Sequence, residues 1–338
     1  RAHAQALNVL QAEGETLRVR LTATDPNAAN ELFLRYGDVP NAILYDAVYT
    51  GGLAASQTLT VGDTRPGTYL LLVRNQAATS QTLAATLQAD LLPLTIDDVE
   101  VDQGGDARYV TVTITGAGFK DGAQVKLVRP GIEEREAVGS RVLRGVTIQA
   151  TFDLTGAVHG LYDLVVTNPG GEQAVVPYRF LVERALEPSV VVGLGGPYAV
   201  PFYTTGRFAF SIRNPGNVDL PYVSFTVAVP ELGIVDGFYG RYLHSTTTVG
   251  GAPEVEGVPW AELDALANQG DGLLMAPGYI TGLAAGATTG ATLWTEIWPD
   301  LVPLVAQGMM IVPPPPEFEY FVVAAATPMT AAEFLAEQ

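Results

Sequence analysis

The residues best suited by type and spacing to bind a ligand are the carboxylates of one acidic stretch, DDVEVD at residues 97–102. Alternation along an extended strand places Asp98, Glu100 and Asp102 on one face. Calcium takes six or more oxygen ligands, many of them carboxylates and backbone carbonyls. These three residues are therefore predicted to hold a calcium ion that stiffens a domain junction. The alternative interpretation is a solvated acidic edge strand.

A second candidate site is aromatic. The segment DGFYGRY at 236–242 places Tyr239 and Tyr242 in a predicted glycine-rich loop, and Trp260 follows within the same region. Tyrosine and tryptophan rings stack on sugars and pack at protein interfaces. The three residues are predicted to bind a polysaccharide or a surface protein. The alternative is a loop that buries its own aromatic rings, because large exposed apolar patches are rare.

Catalytic constellations are missing from the sequence. The histidines are His3, His159 and His244, and neighbouring strand residues such as His244 and Ser245 face opposite ways. No GxSxG or HExxH motif occurs. Two glycine-rich segments, GAG at 116–118 and GLGG at 193–196, lack the third glycine and the following helix of a dinucleotide-binding loop. The absence of cysteine excludes disulfides and thiolate chemistry. The chain is predicted not to be an enzyme and to hold no organic cofactor.

Charge limits the partners. The formal net charge is −18, and Lys120 and Lys126 are the only lysines. Such a field repels nucleic acid and anionic membranes, whose binding depends on clustered Lys and Arg. No apolar stretch has the length of a membrane span, so membrane insertion is not expected.

The elements that must position these residues are predicted to be strands. Hydrophobic residues make up 48% and charged residues 16%, while 36 Gly and 23 Pro separate short apolar runs. This pattern is typical of an all-β protein. A length of 338 residues suits two to four domains. We predict three tandem β-sandwich modules, which we call the first region (1–93), the middle region (94–184) and the third region (185–338).

In the first region, Leu17, Val19 and Leu21 alternate with polar residues as in a half-buried strand. The motifs LFLRYG at 32–37, LYD at 44–46 and PGTYLLLV at 66–73 follow. With these motifs, residues 14–90 resemble the bacterial pre-peptidase C-terminal domain family. That resemblance implies a jelly-roll sandwich of exported proteins, in a family with carbohydrate-binding and collagen-binding members.

The middle region contains GAGF at 116–119, at the end of an alternating strand, and GLYDLVVTNPGG at 160–171. In this order and spacing they closely resemble an IPT/TIG immunoglobulin-like domain. The family likeness implies a structural or adhesive module without catalytic residues.

The third region has strands around the turn NPGN at 214–217. Over residues 189–326 it resembles the adhesion-type immunoglobulin-like repeats of bacteria. WAELDALA at 260–267 has helical spacing and predicts a long, partly helical insertion. TAAE at 330–333 is a capping box, which predicts a helix start.

Together these features predict a non-catalytic stalk, spacer or adhesive segment of a large secreted or surface-attached bacterial protein. Short junctions at 91–97 and 183–189 predict a semi-rigid rod. The expected partners are other domains of the same polypeptide and a polysaccharide or surface protein. The alternative function is a polysaccharide-binding accessory region of a secreted hydrolase. A catalytic domain next to this segment would favour that alternative.

Overall fold

The structure is a computed structural model that describes residues 2–9, 15–76, 84–197, 205–230, 234–235, 238–247, 261–262, 273–299 and 323–337. Within these residues the chain forms 25 strands and one short helix, which confirms the all-β class. The pairings between strands are antiparallel. The chain divides into two compact units: Arg1–Gln103 with Thr111–Val182, and Gly104–Val110 with Glu183–Gln338. The three-module division stays a prediction.

The first region contains seven strands in two sheets. They are β1 (Ala2–Val9), β2 (Thr16–Ala23), β3 (Asn30–Tyr36), β4 (Ala47–Val48), β5 (Gln57–Val61), β6 (Gly67–Asn75) and β7 (Ala85–Leu92). The sheet orders are β1-β6-β3-β4 and β5-β2-β7. The predicted face Leu17, Val19 and Leu21 is at most 2% exposed, and it packs with residues of the other sheet such as Leu34 and Leu71. Alternation in β2 therefore predicted this core correctly.

The middle region contains nine strands in two sheets. They are β8 (Thr95–Glu100), β9 (Gln103–Gly105), β10 (Tyr109–Ala117), β11 (Gln124–Arg129), β12 (Glu133–Glu136), β13 (Gly139–Leu143), β14 (Thr147–Asp153), β15 (Gly160–Thr167) and β16 (Gln173–Glu183). The sheet orders are β13-β14-β10-β8 and β12-β11-β15-β16-β9. Both sheets contribute to one core, in which Phe152 of β14 and Phe180 of β16 lie 6.4 Å apart between ring centroids.

A buried tyrosine ties β15 to the loop before it. The Tyr162 hydroxyl donates to the carbonyl of Val158 at 2.7 Å and contacts the Glu133 carboxylate. The same carboxylate accepts the Val158 N–H at 2.7 Å, and its other oxygen pairs with Arg135 at 3.1 Å. Burial is the main cause that raises the pKa of Tyr162 to about 12, and the hydrogen bond with Glu133 adds to it.

Thr16 joins the first region to the middle region inside the first compact unit. Its side chain is fully buried. The hydroxyl accepts the N–H of Gly118 at 2.8 Å and donates to the carbonyl of Gly145 at 3.4 Å. Both partners are glycines with positive φ, and a Cβ at Gly145 would lie 2.8 Å from the amide nitrogen of Asp63. These glycines are needed because the two regions approach each other at backbone distance.

The third region contains nine strands and the helix. They are β17 (Val191–Gly195), β18 (Thr205–Arg213), β19 (Leu220–Pro230), β20 (Ile234–Val235), β21 (Phe238–Thr247), β22 (Ala261–Glu262), β23 (Leu273–Leu283), β24 (Thr288–Pro299), β25 (Val323–Met329) and α1 (Ala331–Glu337). One sheet has the order β17-β18-β24-β21-β20, with β22 pairing to β21, and the other has β23-β19-β25. Phe210 and Phe225, one from each sheet, pack with ring centroids 5.4 Å apart.

The predicted helical insertion is wrong where the structure describes it. Ala261 and Glu262 form strand β22, in register with His244 and Leu243 of β21. Unpaired backbone groups at the edge of β21 give these two residues partners, and tertiary pairing of this kind overrides helical spacing. Residues 263–270 lie outside the described residues. Within the described residues, the one helix is α1.

The capping box at the start of α1 is confirmed. The Glu333 carboxylate accepts the backbone N–H of Thr330 at 2.7 Å, and the Thr330 hydroxyl accepts the N–H of Glu333 at 3.2 Å. Phe334 then stacks on Tyr222 of β19, with ring centroids 4.2 Å apart and planes 6° from parallel. Phe334 also meets the Tyr279 ring of β23 edge to face at 5.3 Å, so the helix is fixed at its first turn and by two aromatic contacts with the sheet.

The NPGN turn is closed by a buried asparagine. Asn214 is fully buried, and its Nδ2 donates to the carbonyls of Val218, Leu283 and Ala284 at 2.8, 3.2 and 3.1 Å. Its Oδ1 accepts the N–H of Gly216 at 2.9 Å. One side chain thus joins the end of β18, the start of β19 and the end of β23.

Candidate interaction loop

The predicted calcium ligands meet an arginine in the structure. Nη2 of Arg179 lies 2.8 Å from a carboxylate oxygen of Asp98 and 2.9 Å from the carbonyl of Val99, and Nη1 lies 3.3 Å from Asp102. Glu100 is exposed at the end of β8. Among the described residues, no group of three His, Cys, Asp or Glu is placed to hold a metal ion. The calcium site stays a prediction, and the guanidinium already supplies a cation to two of its ligands.

Arg179 bonds to the short segment in which the chain passes from one sheet of the middle region to the other. Val101 has a φ of 62°, which is unusual for a β-branched residue, and it separates β8 of one sheet from β9 of the other. Arg179 bonds residues on both sides of it. The acidic stretch therefore stabilises the passage of the chain between the sheets.

We expect Arg179→Met to lower the free energy of unfolding by about 1 kcal/mol or less, since both carboxylates are more than half exposed and solvent screens them. Urea denaturation in low and high salt measures this, because salt should weaken the wild type more than the variant. The predicted calcium site is tested on the same wild type, because bound calcium should raise its melting temperature and EDTA should reverse that rise. A melting temperature that calcium and EDTA leave unchanged would contradict the calcium site.

The predicted aromatic site is only partly described. Tyr239 and Tyr242 lie on strand β21, in register with Trp298 and Thr295 of β24, so the predicted loop is wrong from Phe238 onward. Ten residues of β21 pair with β24, and this pairing gives the glycine-containing segment an extended backbone. Trp260 lies outside the described residues. Ligand binding by these three aromatic residues stays a prediction.

The loop between β3 and β4 exposes several large apolar side chains. Residues 39–45, with the sequence VPNAILY, are uncharged and lie between Asp38 and Asp46. We call them the 39–45 loop. Four of its seven side chains are large, apolar and exposed: Val39 at 48%, Ile43 at 86%, Leu44 at 54% and Tyr45 at 42%. Single exposed apolar residues are common, but these four lie within seven residues and form a local exposed apolar cluster.

The tip of this loop has a defined conformation. The Asn41 side-chain oxygen accepts the backbone N–H groups of Ile43 and Leu44, both at 2.9 Å. The Asn41 N–H donates to the carbonyl of Leu44 at 3.0 Å. Asparagine closes turns in this way because its side chain mimics a backbone carbonyl. Ile43 is therefore presented to solvent by an ordered turn.

The base of the loop is bonded to the sheet. The Asp46 carboxylate accepts the N–H of Tyr36 at 2.7 Å, and the Asp46 N–H donates to the carbonyl of Leu34 at 2.9 Å. On the other side, Arg35 pairs with Asp38 at 2.8 Å. The two bracketing aspartates thus attach both ends of the loop to β3.

Phe33 of β3 contacts both the 39–45 loop and a charged pair of residues. The Tyr45 ring lies 5.8 Å from the Phe33 ring, and the guanidinium of Arg74 lies 5.9 Å from the centroid of Phe33. Arg74 also pairs with Glu31 at 2.6 Å, and this hydrogen bond is the main cause that lowers the pKa of the Glu31 carboxyl. The loop is therefore apolar at its tip, and Phe33 contacts both Tyr45 and the charged pair of Arg74 and Glu31.

Sequence reasoning missed this loop because it assigns Ile, Leu and Val to cores by default. Two signals were present in the sequence. One was Pro40-Asn41, a typical turn pair, and the other was the uncharged run between two aspartates. Neither signal shows that the side chains stay outside.

Comparisons with known proteins do not identify the chain. No protein-family model matches it, and no curated protein matches it. Among solved structures, a Corynebacterium diphtheriae protein described as membrane anchored aligns with 89% of this chain and 79% of that chain, at 10% identity and a TM-score of 0.19. A TM-score this low supports no argument about fold or function. In the described part of this chain, no helix is long and apolar enough to cross a membrane.

Proposed function

We propose that the chain is a non-catalytic, adhesive segment of a large secreted or surface-attached bacterial protein, built from tandem β-sandwich modules. The 39–45 loop is its contact surface. The observation that carries the proposal is Ile43, which is 86% exposed on a turn ordered by Asn41. A pre-ordered apolar side chain can be buried by a partner without a large loss of conformational entropy.

Strand order supports the modular part of the proposal. The sheets β13-β14-β10-β8 and β12-β11-β15-β16-β9 correspond to the D-E-B-A and C′-C-F-G-A′ orders of immunoglobulin-like sandwiches. The bond from the Tyr162 hydroxyl to the Val158 carbonyl is similar to the tyrosine corner of such domains. Immunoglobulin-like modules act as spacers and adhesive units. This is the role proposed for the middle region.

The proposal is tested by measuring binding of the wild type and of Ile43→Asp to a panel of immobilised proteins and polysaccharides. Burying a side chain of this size stabilises a complex by about 1.5–3 kcal/mol, so we expect the substitution to weaken binding at least about tenfold. Because Ile43 makes so little contact with the fold, the melting temperature should not change. Equal binding by the two proteins would refute the role of the loop.

The alternative is a polysaccharide-binding accessory region, and one observation favours it. Tyr45 offers an exposed ring that contacts Phe33, and Phe33 in turn lies under the Arg74 guanidinium; sugar sites combine an aromatic face with planar polar groups. Ile43 and Leu44 argue against it, because aliphatic side chains give sugars neither stacking nor hydrogen bonds. A glycan-array signal that Tyr45→Ala abolishes and Ile43→Asp preserves would decide for the alternative.

A further inference from the structure

We propose that the 39–45 loop docks on a neutral, zwitterionic lipid surface. This inference rests on the proposed function, since it names the occupant of the same contact surface. It concerns a loop tip that enters the outer part of a lipid layer, which is different from a segment that spans one.

The first argument is the backbone of the tip. In a lipid layer, a backbone N–H without an acceptor costs several kcal/mol, because no water is present to replace the bond. The loop provides its own acceptors. The N–H groups of Ile43 and Leu44 bond to the Asn41 side chain, and the Asn41 N–H bonds to the Leu44 carbonyl. These bonds leave three fewer N–H groups at the tip that need an acceptor from a partner, which lowers the cost of entering lipid.

The backbone at the start of the loop also leaves no N–H of Val39 or Pro40 in need of an acceptor. The Val39 N–H donates to the Asp38 carboxylate at 2.8 Å. Pro40 has no N–H to satisfy. Four of the six backbone N–H groups of the loop are therefore bonded inside the chain before any partner arrives.

The second argument is the order of side chains along the loop. The most exposed residues are aliphatic: Ile43 at 86% and Leu44 at 54%. Tyr45 comes next, at 42% exposure; its ring contacts Phe33, and the Arg74 guanidinium, paired with Glu31, lies 5.9 Å from the centroid of Phe33. A lipid layer changes in the same order, from hydrocarbon through an interface that favours tyrosine to charged headgroups.

The third argument is charge, which selects the type of lipid. Asp38 and Asp46 bracket the loop, the Asp38 side chain is 66% exposed, and the whole chain carries −18. An anionic lipid surface would repel these charges. The choline group of a zwitterionic lipid carries a positive charge that suits Asp46 and the exposed Asp38, which also pairs with Arg35, and its quaternary ammonium is attracted to a tyrosine face.

The experiment is flotation of the 338-residue chain with phosphatidylcholine vesicles, titrated with lipid. The variants are Ile43→Asp and, as a matched control, Leu335→Asp on α1, where Leu335 is 72% exposed. We expect the wild type and the control to float alike and Ile43→Asp to lower the partition coefficient at least about tenfold. Vesicles with added phosphatidylglycerol should bind the wild type more weakly.

Two results would overturn the lipid proposal: no flotation of the wild type, or flotation that Ile43→Asp leaves intact. If Ile43→Asp still loses binding to an immobilised protein in either case, the loop remains the contact surface and a protein groove is its occupant. If Ile43→Asp changes no binding at all, the proposed function fails with it.

Discussion

Asn214→Asp is expected to lower the free energy of unfolding of the third region by about 3–5 kcal/mol. The substitution keeps the shape of the side chain and changes its chemistry. Nδ2 of Asn214 donates to three carbonyls, and the side chain is fully buried. An ionised aspartate places an oxygen against those carbonyls and leaves a buried charge without a partner.

Urea denaturation followed by circular dichroism measures this change. Asn27→Asp is the matched control, because Asn27 is exposed and takes part in its turn through its backbone N–H. Acid should reduce the difference, since protonation removes the buried charge. A loss below about 1 kcal/mol at neutral pH would show that the network around Asn214 does not hold the turn.

The second large effect is expected for Tyr162→Phe, which should cost about 1–3 kcal/mol. The substitution leaves the ring in the core and removes the hydroxyl that bonds the Val158 carbonyl at 2.7 Å and contacts the Glu133 carboxylate. The two acceptors then lose the single O–H that they share, in a partly buried place. Tyr178→Phe is the control, since Tyr178 is 71% exposed.

The pH dependence gives Tyr162 a specific signature. Burial, helped by Glu133, raises the pKa of Tyr162 from 10.0 to about 12, so the folded chain favours the neutral phenol. A raised pKa contributes stability that is complete below pH 10 and is lost as the pH rises from 10 to about 12. Between these pH values, the free energy of unfolding obtained from denaturation curves should fall more for the wild type than for Tyr162→Phe. Parallel loss in the two proteins would contradict the role of the hydroxyl.

The sequence predicted the fold best where alternation and local motifs decide it. Leu17, Val19 and Leu21 form a core face because every second residue of a strand shares a side. Thr330 and Glu333 form a capping box because the partners are three residues apart. In both cases the interaction lies within one element.

Interactions between distant residues could not be predicted in this way. Arg179 and Asp98 are 81 positions apart, so nothing in the acidic stretch indicates that an arginine reaches it. Ala261 and Glu262 have helical spacing and form a strand because β21 offers partners. Exposure of the 39–45 loop depends on how Asp46 and Asn41 bond after folding, and composition alone assigns Ile43 to a core.

The most direct measurement of the central claim is adhesion under flow of beads coated with the wild type, Ile43→Asp or Leu335→Asp. The chosen surface is one that the wild type binds. We expect Ile43→Asp beads to detach at lower shear. Leu335→Asp beads, altered at a site of similar exposure (72% against 86%), should behave as the wild type does. Equal adhesion by all three, or equal loss in both variants, would show that the 39–45 loop is not the contact surface.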